Sequence, residues 1–311
     1  MPDFAVHYVF GQEVRSALPR ETGNGLREAP YTAGLFGPDL WFIYHLWEHG
    51  RGRGRRMHTC RTGDFLTSLA AEARKQRGTE GGAQLFSYLA GFLCHYALDL
   101  TVHPYVIWET SYVCTRKRAH QAMERAMDVL EIRRRGDWGG PHPVTEKYYP
   151  RLRLPREMRA GLDAAYERVY GWKHAARDLD RCYRRYRLLY RWMEKPGGLF
   201  AALARRSGKD AIRAFSYPET YYLDLDPENT AHREWRHPCR QDEVSTADFS
   251  ALRLQAKREA LQMIEAARKY IMEETPDEAG LRAAFGSRSY LSGLDAEDPL
   301  NWSMPGLRPP D

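Results

Sequence analysis

An all-α protein, built as a single multi-helix domain, is what this chain predicts. Helix formers dominate its composition while Val and Ile are sparse, which favours helix over sheet. Apolar residues recur at the 3.6-residue period of a buried helical face. With 311 residues and 43% hydrophobic content, the chain can bury a sizeable core. Nothing between the helical segments reads as a domain linker. The expected organisation is one helical domain over 1–275, followed by a partly irregular C-terminal extension over 276–311.

Each element follows from its local pattern. Over 3–18, Phe4, Val6, Phe10, Val14 and Leu18 form an apolar stripe with His7 beside it, and Pro19 and the glycines up to Gly25 end that helix. Residues 30–47 are aromatic and glycine-punctuated. Gly37-Pro38-Asp39 marks a turn there, and Asp39 is placed to cap the apolar helix after it. GRGRGRR at 50–56 is too glycine-rich for a stable helix and predicts an exposed loop. Residues 57–77 predict a helix with His58 near its start. Residues 83–103 form the most hydrophobic helix, the expected centre of the core, ending or kinking at Pro104. An amphipathic helix over 115–134 carries His120 and Glu124, and a Trp/Gly/Pro turn follows at 137–143. Residues 155–195 read as one or two Tyr- and Arg-rich helices, broken by KPGG before a short helix over 199–215. Residues 217–247 are irregular and aromatic-polar, the kind of long connection that is functional or wraps the core. A last amphipathic helix spans 248–275, with Ser245, Thr246 or Asp248 as its cap.

The chemistry concentrates in the central helix. His95-x3-Asp99-x3-His103 interrupts the apolar run YLAGFLCHYALDLTVHPYVIW, and His120-x3-Glu124 follows on the next helix. A four-residue step advances about 40° around a helix, so these groups share inward faces. Three polar groups on so apolar a face are costly to bury unless paired or metallated. Imidazole and carboxylate are ligands for zinc and related divalent ions. His95 and His103 lie about 12 Å apart along the axis, too far for one ion, while Asp99 can offer one oxygen to each of two. The spacing therefore points to a polynuclear site and to hydrolysis of a phosphoester or similar substrate.

The bulk properties narrow the setting. A net charge of +6, much of it from Arg, suits phosphate-bearing partners without selecting nucleic acid over a phospholipid surface. Arg51, Arg53, Arg55 and Arg56 are placed either to meet an anionic headgroup or to be solvated. Phe36, Trp41, Phe42, Tyr44 and Trp47 suit a substrate cleft or the core. The N-terminus does not read as a signal peptide. The apolar run around 85–108 is too short and too polar for a transmembrane span. The expected location is the cytoplasm. Cys60, Cys94, Cys114, Cys182 and Cys239 are scattered, form no CxxC pair and read as reduced thiols.

MPDFAVHYVFG, AGLFGPDLWF, MHT, TGDF and AGFLCHYALDLTVHPY resemble motifs of the zinc-dependent phospholipase C family, most closely its uncharacterised cytoplasmic bacterial branch. The likeness is similar in kind to that shared with the S1/P1 zinc nucleases; it covers roughly residues 1–130 by motif, and more loosely the segment 233–238. The resemblance implies an all-helical fold of the phospholipase C and P1 nuclease type holding two or three zinc ions. It implies His7, Asp39, His58, His95, Asp99, His103, His120 and Glu124 as metal ligands. It further implies that Asp39 serves the catalytic centre as ligand, as base toward the attacking water, or as both. Secreted members use an N-terminal tryptophan as a ligand. Here Asp3, or the amine of Pro2 after methionine removal, is expected in that place. Asp64, in TGDF, is expected to support a histidine N–H or to cap its helix. The implied substrate is a phospholipid headgroup or another small phosphoester. The alternatives are a nuclease of the same architecture, with nucleic acid as partner, and a metal-binding helical protein without activity.

Overall fold

The structure, a computed structural model, describes residues 4–44, 52–114, 118–137, 144–193, 206 and 226–305. In chain order its helices are α1 (Phe4–Ala17), α2 (Arg20–Gly25), α3 (Glu28–Gly34), α4 (Leu40–Tyr44), α5 (Arg53–Thr59), α6 (Thr62–Lys75) and α7 (Glu80–Trp108). Then come α8 (Ala119–Arg134), α9 (Val144–Lys147), α10 (Arg156–Tyr170), α11 (Ala175–Met193), α12 (Phe249–Met272) and α13 (Glu278–Phe285). The all-α expectation holds. The only sheet among the described residues is a hairpin of β1 (Trp235–His237) and β2 (Arg240–Ser245), antiparallel with a bulge at Arg236/His237. It falls within the segment expected to be irregular.

The most apolar segment becomes the central helix because it can satisfy its own backbone while burying every face. Thr79 caps α7 by accepting from the Gly82 N–H, and every residue from Gln84 to Ile107 is buried. α1, α3, α6, α10 and α12 surround it. Gly34 and Gly91 bring α3 and α7 into backbone contact, since a Cβ on either would strike a carbonyl of the other helix, Tyr88 or Tyr31.

Several expectations are corrected. The central helix does not end at Pro104 but runs to Trp108 and continues as a π-helical turn, Glu109–Val113. Proline removes only the bond to the Leu100 carbonyl, and that carbonyl is faced instead by the backbone of Gly293. The resulting run, Glu80–Val113, is 34 residues and apolar enough to cross a membrane by length and composition, but its apolar window is wholly buried as a core helix. Residues 53–56, expected in a loop, are the first turn of α5. The Arg53 guanidinium lies over Trp41, Tyr44 and Trp172 at 5.0, 4.4 and 4.8 Å, and this anchors the turn. The single helix expected over 57–77 is broken at Arg61, whose φ of 55° is held by bonds to Asp64 and to the Val169 carbonyl. The segment 155–195 is two helices, separated at Gly171. Asp248 is the cap of α12. The turn expected at 137–143 and the helix expected over 199–215 lie outside the described residues, apart from Asp137 and Arg206. Beyond 276, α13 packs on α12 and α6, and the following turn reaches the middle of α7.

Candidate metal centre

The three polar groups of α7 are buried completely. Three of the site histidines are tied through Nδ1 to main-chain carbonyls. His95 Nδ1 donates to Leu35 O at 3.0 Å, His103 Nδ1 to Tyr290 O at 2.7 Å and His58 Nδ1 to Gly54 O at 2.7 Å. A carbonyl only accepts, so the proton sits on Nδ1 and the Nε2 lone pair faces inward.

Two donor clusters result. In the first, single donor atoms of Asp39, His58, His95 and Asp99 all lie within 4.8 Å of one another. Asp39 Oδ1 is 3.2 Å from His58 Nε2 and 3.6 Å from His95 Nε2, and Asp99 Oδ2 is 3.0 Å from His95 Nε2. His7 joins them, its Nε2 3.3 Å from Asp99 Oδ1 and its ring stacked on His95 at 3.9 Å. The second cluster is His103, His120 and Glu124. Glu124 Oε1 is 2.7 Å from His120 Nε2 and 3.7 Å from His103 Nε2. Asp99 stands between the two, with Oδ2 also 3.8 Å from His103 Nδ1.

These groups converge without hydrogen-bonding one another well. Among the described residues, both nitrogens of His7, Asp39 Oδ1, His95 Nε2, both oxygens of Asp99 and His103 Nε2 are buried without a hydrogen-bond partner. Each such atom costs about 1–3 kcal/mol unless something else meets it. A cation at the convergence of lone pairs meets all of them, and the N/O donor set with no thiolate fits zinc or a similar divalent ion. Protonation states agree with this in part. Burial lowers the His7 imidazole and pushes that of His103 down to about 3. For Asp99, burial opposes ionisation, but His103 and His95 outweigh it and hold the carboxyl well below its ordinary value. His95 is the exception. Burial would lower it, yet Asp99 and Asp39 raise it, so a metal ion would displace a proton there. Each cluster keeps one member toward solvent, Asp39 at 14% and His120 at 28% side-chain exposure.

Local structure explains the placement. Gly37 turns the chain with φ +51° against the His95 ring, where a Cβ would clash, and so delivers Asp39 to the site. The Asp39 Oδ1 atom faces the imidazoles rather than the first turn of α4. Among the described residues Asp64 bonds to no histidine; it pairs with Arg61 and Arg282 near the surface. Asp3 lies outside the described residues, as do His45, His49 and His142. His237 ties the hairpin to the C-terminal turn, its Nε2 donating to Ser292 O at 2.9 Å.

Two supporting residues escape the sequence reading. Asp128 accepts from the Ala5 and Val6 N–H groups at 3.1 and 2.9 Å, capping α1 and so placing His7. It continues the His120, Glu124 series by four residues, a signal that was readable. Tyr290 lies in the segment treated as an extension. Its main chain bonds to both His58 and His103, and no local pattern announces that.

Fold and site together define an all-helical protein with paired His/carboxylate clusters able to hold metal ions. The family model described as zinc dependent phospholipase C matches residues 6–187. The chain belongs to the zinc-dependent phospholipase C family and is a metal-dependent hydrolase of that family. No curated protein and no solved structure matches it.

Proposed function

We propose that the chain hydrolyses a phosphodiester in the manner of a phospholipase C, with a phospholipid headgroup or a related small phosphoester as substrate. The observation that carries the reading is the Asp99 carboxylate set between two donor clusters, an arrangement suited to metal ions held close together. Bound ions of that kind supply Lewis acidity toward phosphoryl oxygens and an activated water. His58, His95, Asp39 and Asp99 would hold one, and His103, His120 and Glu124 another; a third would draw on His7, with Asp3 as its proposed partner. Asp39 is the group we assign to the proton of the attacking water. It is the carboxylate of the first cluster that reaches solvent. Phe42, 40% exposed and 5.0 Å from the His58 ring, forms a wall on that side. Arg55 and Arg56 are exposed on the same helix as His58 and favour an anionic substrate. All five cysteines are unbridged. This suits the cytoplasmic setting that we propose, with the bacterial branch that the motifs resemble.

The test is a substrate panel on metal-loaded protein, with and without chelator. It compares phospholipids, short synthetic diesters and single-stranded nucleic acid. Chelator-sensitive turnover of phospholipid or diester is expected. Preference for nucleic acid would move the assignment to a nuclease, and no turnover of any phosphoester would leave a metal-binding protein without this activity.

A further inference from the structure

We infer that Tyr290 is a positioning residue of the metal centre, holding His58 and His103 in register through its main chain; this rests on the metal reading above. The Tyr290 N–H donates to the His58 carbonyl at 2.8 Å, and the Tyr290 carbonyl accepts from His103 Nδ1 at 2.7 Å. One residue therefore links a member of each donor cluster. The bond to His103 fixes which of its nitrogens carries the proton and aims Nε2 at Glu124. The bond to His58 tethers the end of α5, from which that ring projects. The Tyr290 ring packs beside the first cluster, 5.1 Å from His58 and 6.1 Å from His95.

The turn that carries Tyr290 is anchored on both sides. Before it, the Arg288 N–H donates to Tyr96 Oη at 2.8 Å, and Thr62 Oγ1 donates to the Arg288 carbonyl at 2.8 Å. After it, Gly293, with φ +72°, presses against the Leu100 carbonyl, where a Cβ would sit 2.8 Å from the oxygen. That carbonyl lacks its helical donor because residue 104 is proline. The interruption of α7 thus creates a docking point for the turn, between Asp99 and His103 in sequence. The turn itself, Arg288 to Gly293, lies beyond residues 6–187, the part of the chain that the family model covers.

A turn that merely covered the core would affect folding stability alone. A positioning turn affects metal affinity and ligand geometry beyond its effect on stability. Two full-length variants loosen it: Gly293→Val, and the near-isosteric pair Thr62→Val with Tyr96→Phe. Leu281→Ala, a buried position of α13, is the control for general destabilisation. Zinc affinity in a metal buffer, zinc stoichiometry and the visible spectrum of the cobalt-substituted protein are measured beside Tm. Both turn variants are expected to bind zinc about 10–100-fold more weakly and to shift the cobalt spectrum. Leu281→Ala is expected to lower Tm while keeping wild-type affinity and spectrum. If Gly293→Val does not fold, the double variant decides. Wild-type affinity and spectrum in the turn variants would overturn the inference, as would an equal loss of affinity in Leu281→Ala. A wild-type protein that binds no metal would overturn the metal reading, and this inference with it.

Discussion

Replacing Asp99 by Asn tests the centre at its most shared point. The carboxylate is fully buried and lies 3.3, 3.0 and 3.8 Å from nitrogens of His7, His95 and His103. The variant keeps the shape and removes the charge. Breaking a buried charged set by removing one partner costs about 3–5 kcal/mol. At 1.4 kcal/mol per tenfold, that is roughly two to three and a half powers of ten in metal affinity. A chain of this size loses about 2 °C per kcal/mol, so the metal-loaded variant should melt about 6–10 °C below the wild type. The chelated proteins separate two explanations. Without an ion, burial opposes the Asp99 charge but His103 and His95 outweigh it, so Asn should cost some stability in the chelated protein as well. The metal-specific part is the excess loss, and the gap between variant and wild type should be several degrees wider in the loaded proteins than in the chelated ones. Elemental analysis and thermal unfolding, each with and without chelator, make the comparison. A loss of Tm that is the same in loaded and chelated protein, with unchanged metal content, would refute the reasoning and leave Asp99 as part of a structural ion-pair network.

Four further outcomes are expected. Asp39→Asn, compared with wild type at matched metal loading because Asp39 is also placed as a ligand, should lower kcat by about 10²–10⁴; full activity on the best substrate would remove Asp39 from proton transfer. Phe42→Ala should raise KM and leave metal content unchanged, because the exposed ring borders the site without offering a ligand atom; an unaltered KM would place the substrate elsewhere. Asp128→Ala should cost about 2–3 kcal/mol, because it strands two backbone N–H groups of α1; denaturant unfolding reads this, and a loss under 0.5 kcal/mol would dismiss the capping role. Finally, Glu72 and Glu131 titrate below the ordinary 4.5: burial opposes ionisation, but Lys75 and Arg168 outweigh it for Glu72, and Arg253 and Arg135 for Glu131. The folded state then binds fewer protons than the unfolded one, so their contribution is full above about pH 4.5 and is lost as pH falls through the folded values. Chelated Glu131→Gln protein should show a shallower fall of Tm in that window, and a slope equal to wild type would count against it.

What could be read from the sequence divides by range. Helix α7, its buried face and its three polar groups follow from periodicity, because one segment contains both the pattern and the exception to it. The grouping into clusters also follows from spacing, since the rise of one helix sets how far apart His95 and His103 stand. Interactions between distant segments were not readable in that way. Arg53 makes a helix of a glycine-rich stretch only because Trp41, Tyr44 and Trp172 come together around it. Asp128 reaches residues more than a hundred positions away, and Tyr290 reaches His58 and His103 from a segment that locally reads as an extension.

Pro104 joins the two ranges. As a local signal it announces a break, and the helix nevertheless continues, because proline removes one bond from a helix packed on every side. The cost falls on a single carbonyl, Leu100, one residue beyond the shared carboxylate Asp99. A glycine turn from the far end of the chain covers that carbonyl and brings the Tyr290 main chain to His103. A break in the central helix and a bond to a donor of the second cluster are thus parts of one contact. A Pro104→Ala protein should form the missing helical bond and draw the Leu100 oxygen away from its packing contact with Gly293, whose own N–H bonds to the Ser289 carbonyl. The expected result is a protein at least as stable as wild type in chelator but weaker in zinc affinity, a combination that a purely structural proline would not give. Wild-type zinc affinity in that variant would show that the turn docks without the freed carbonyl.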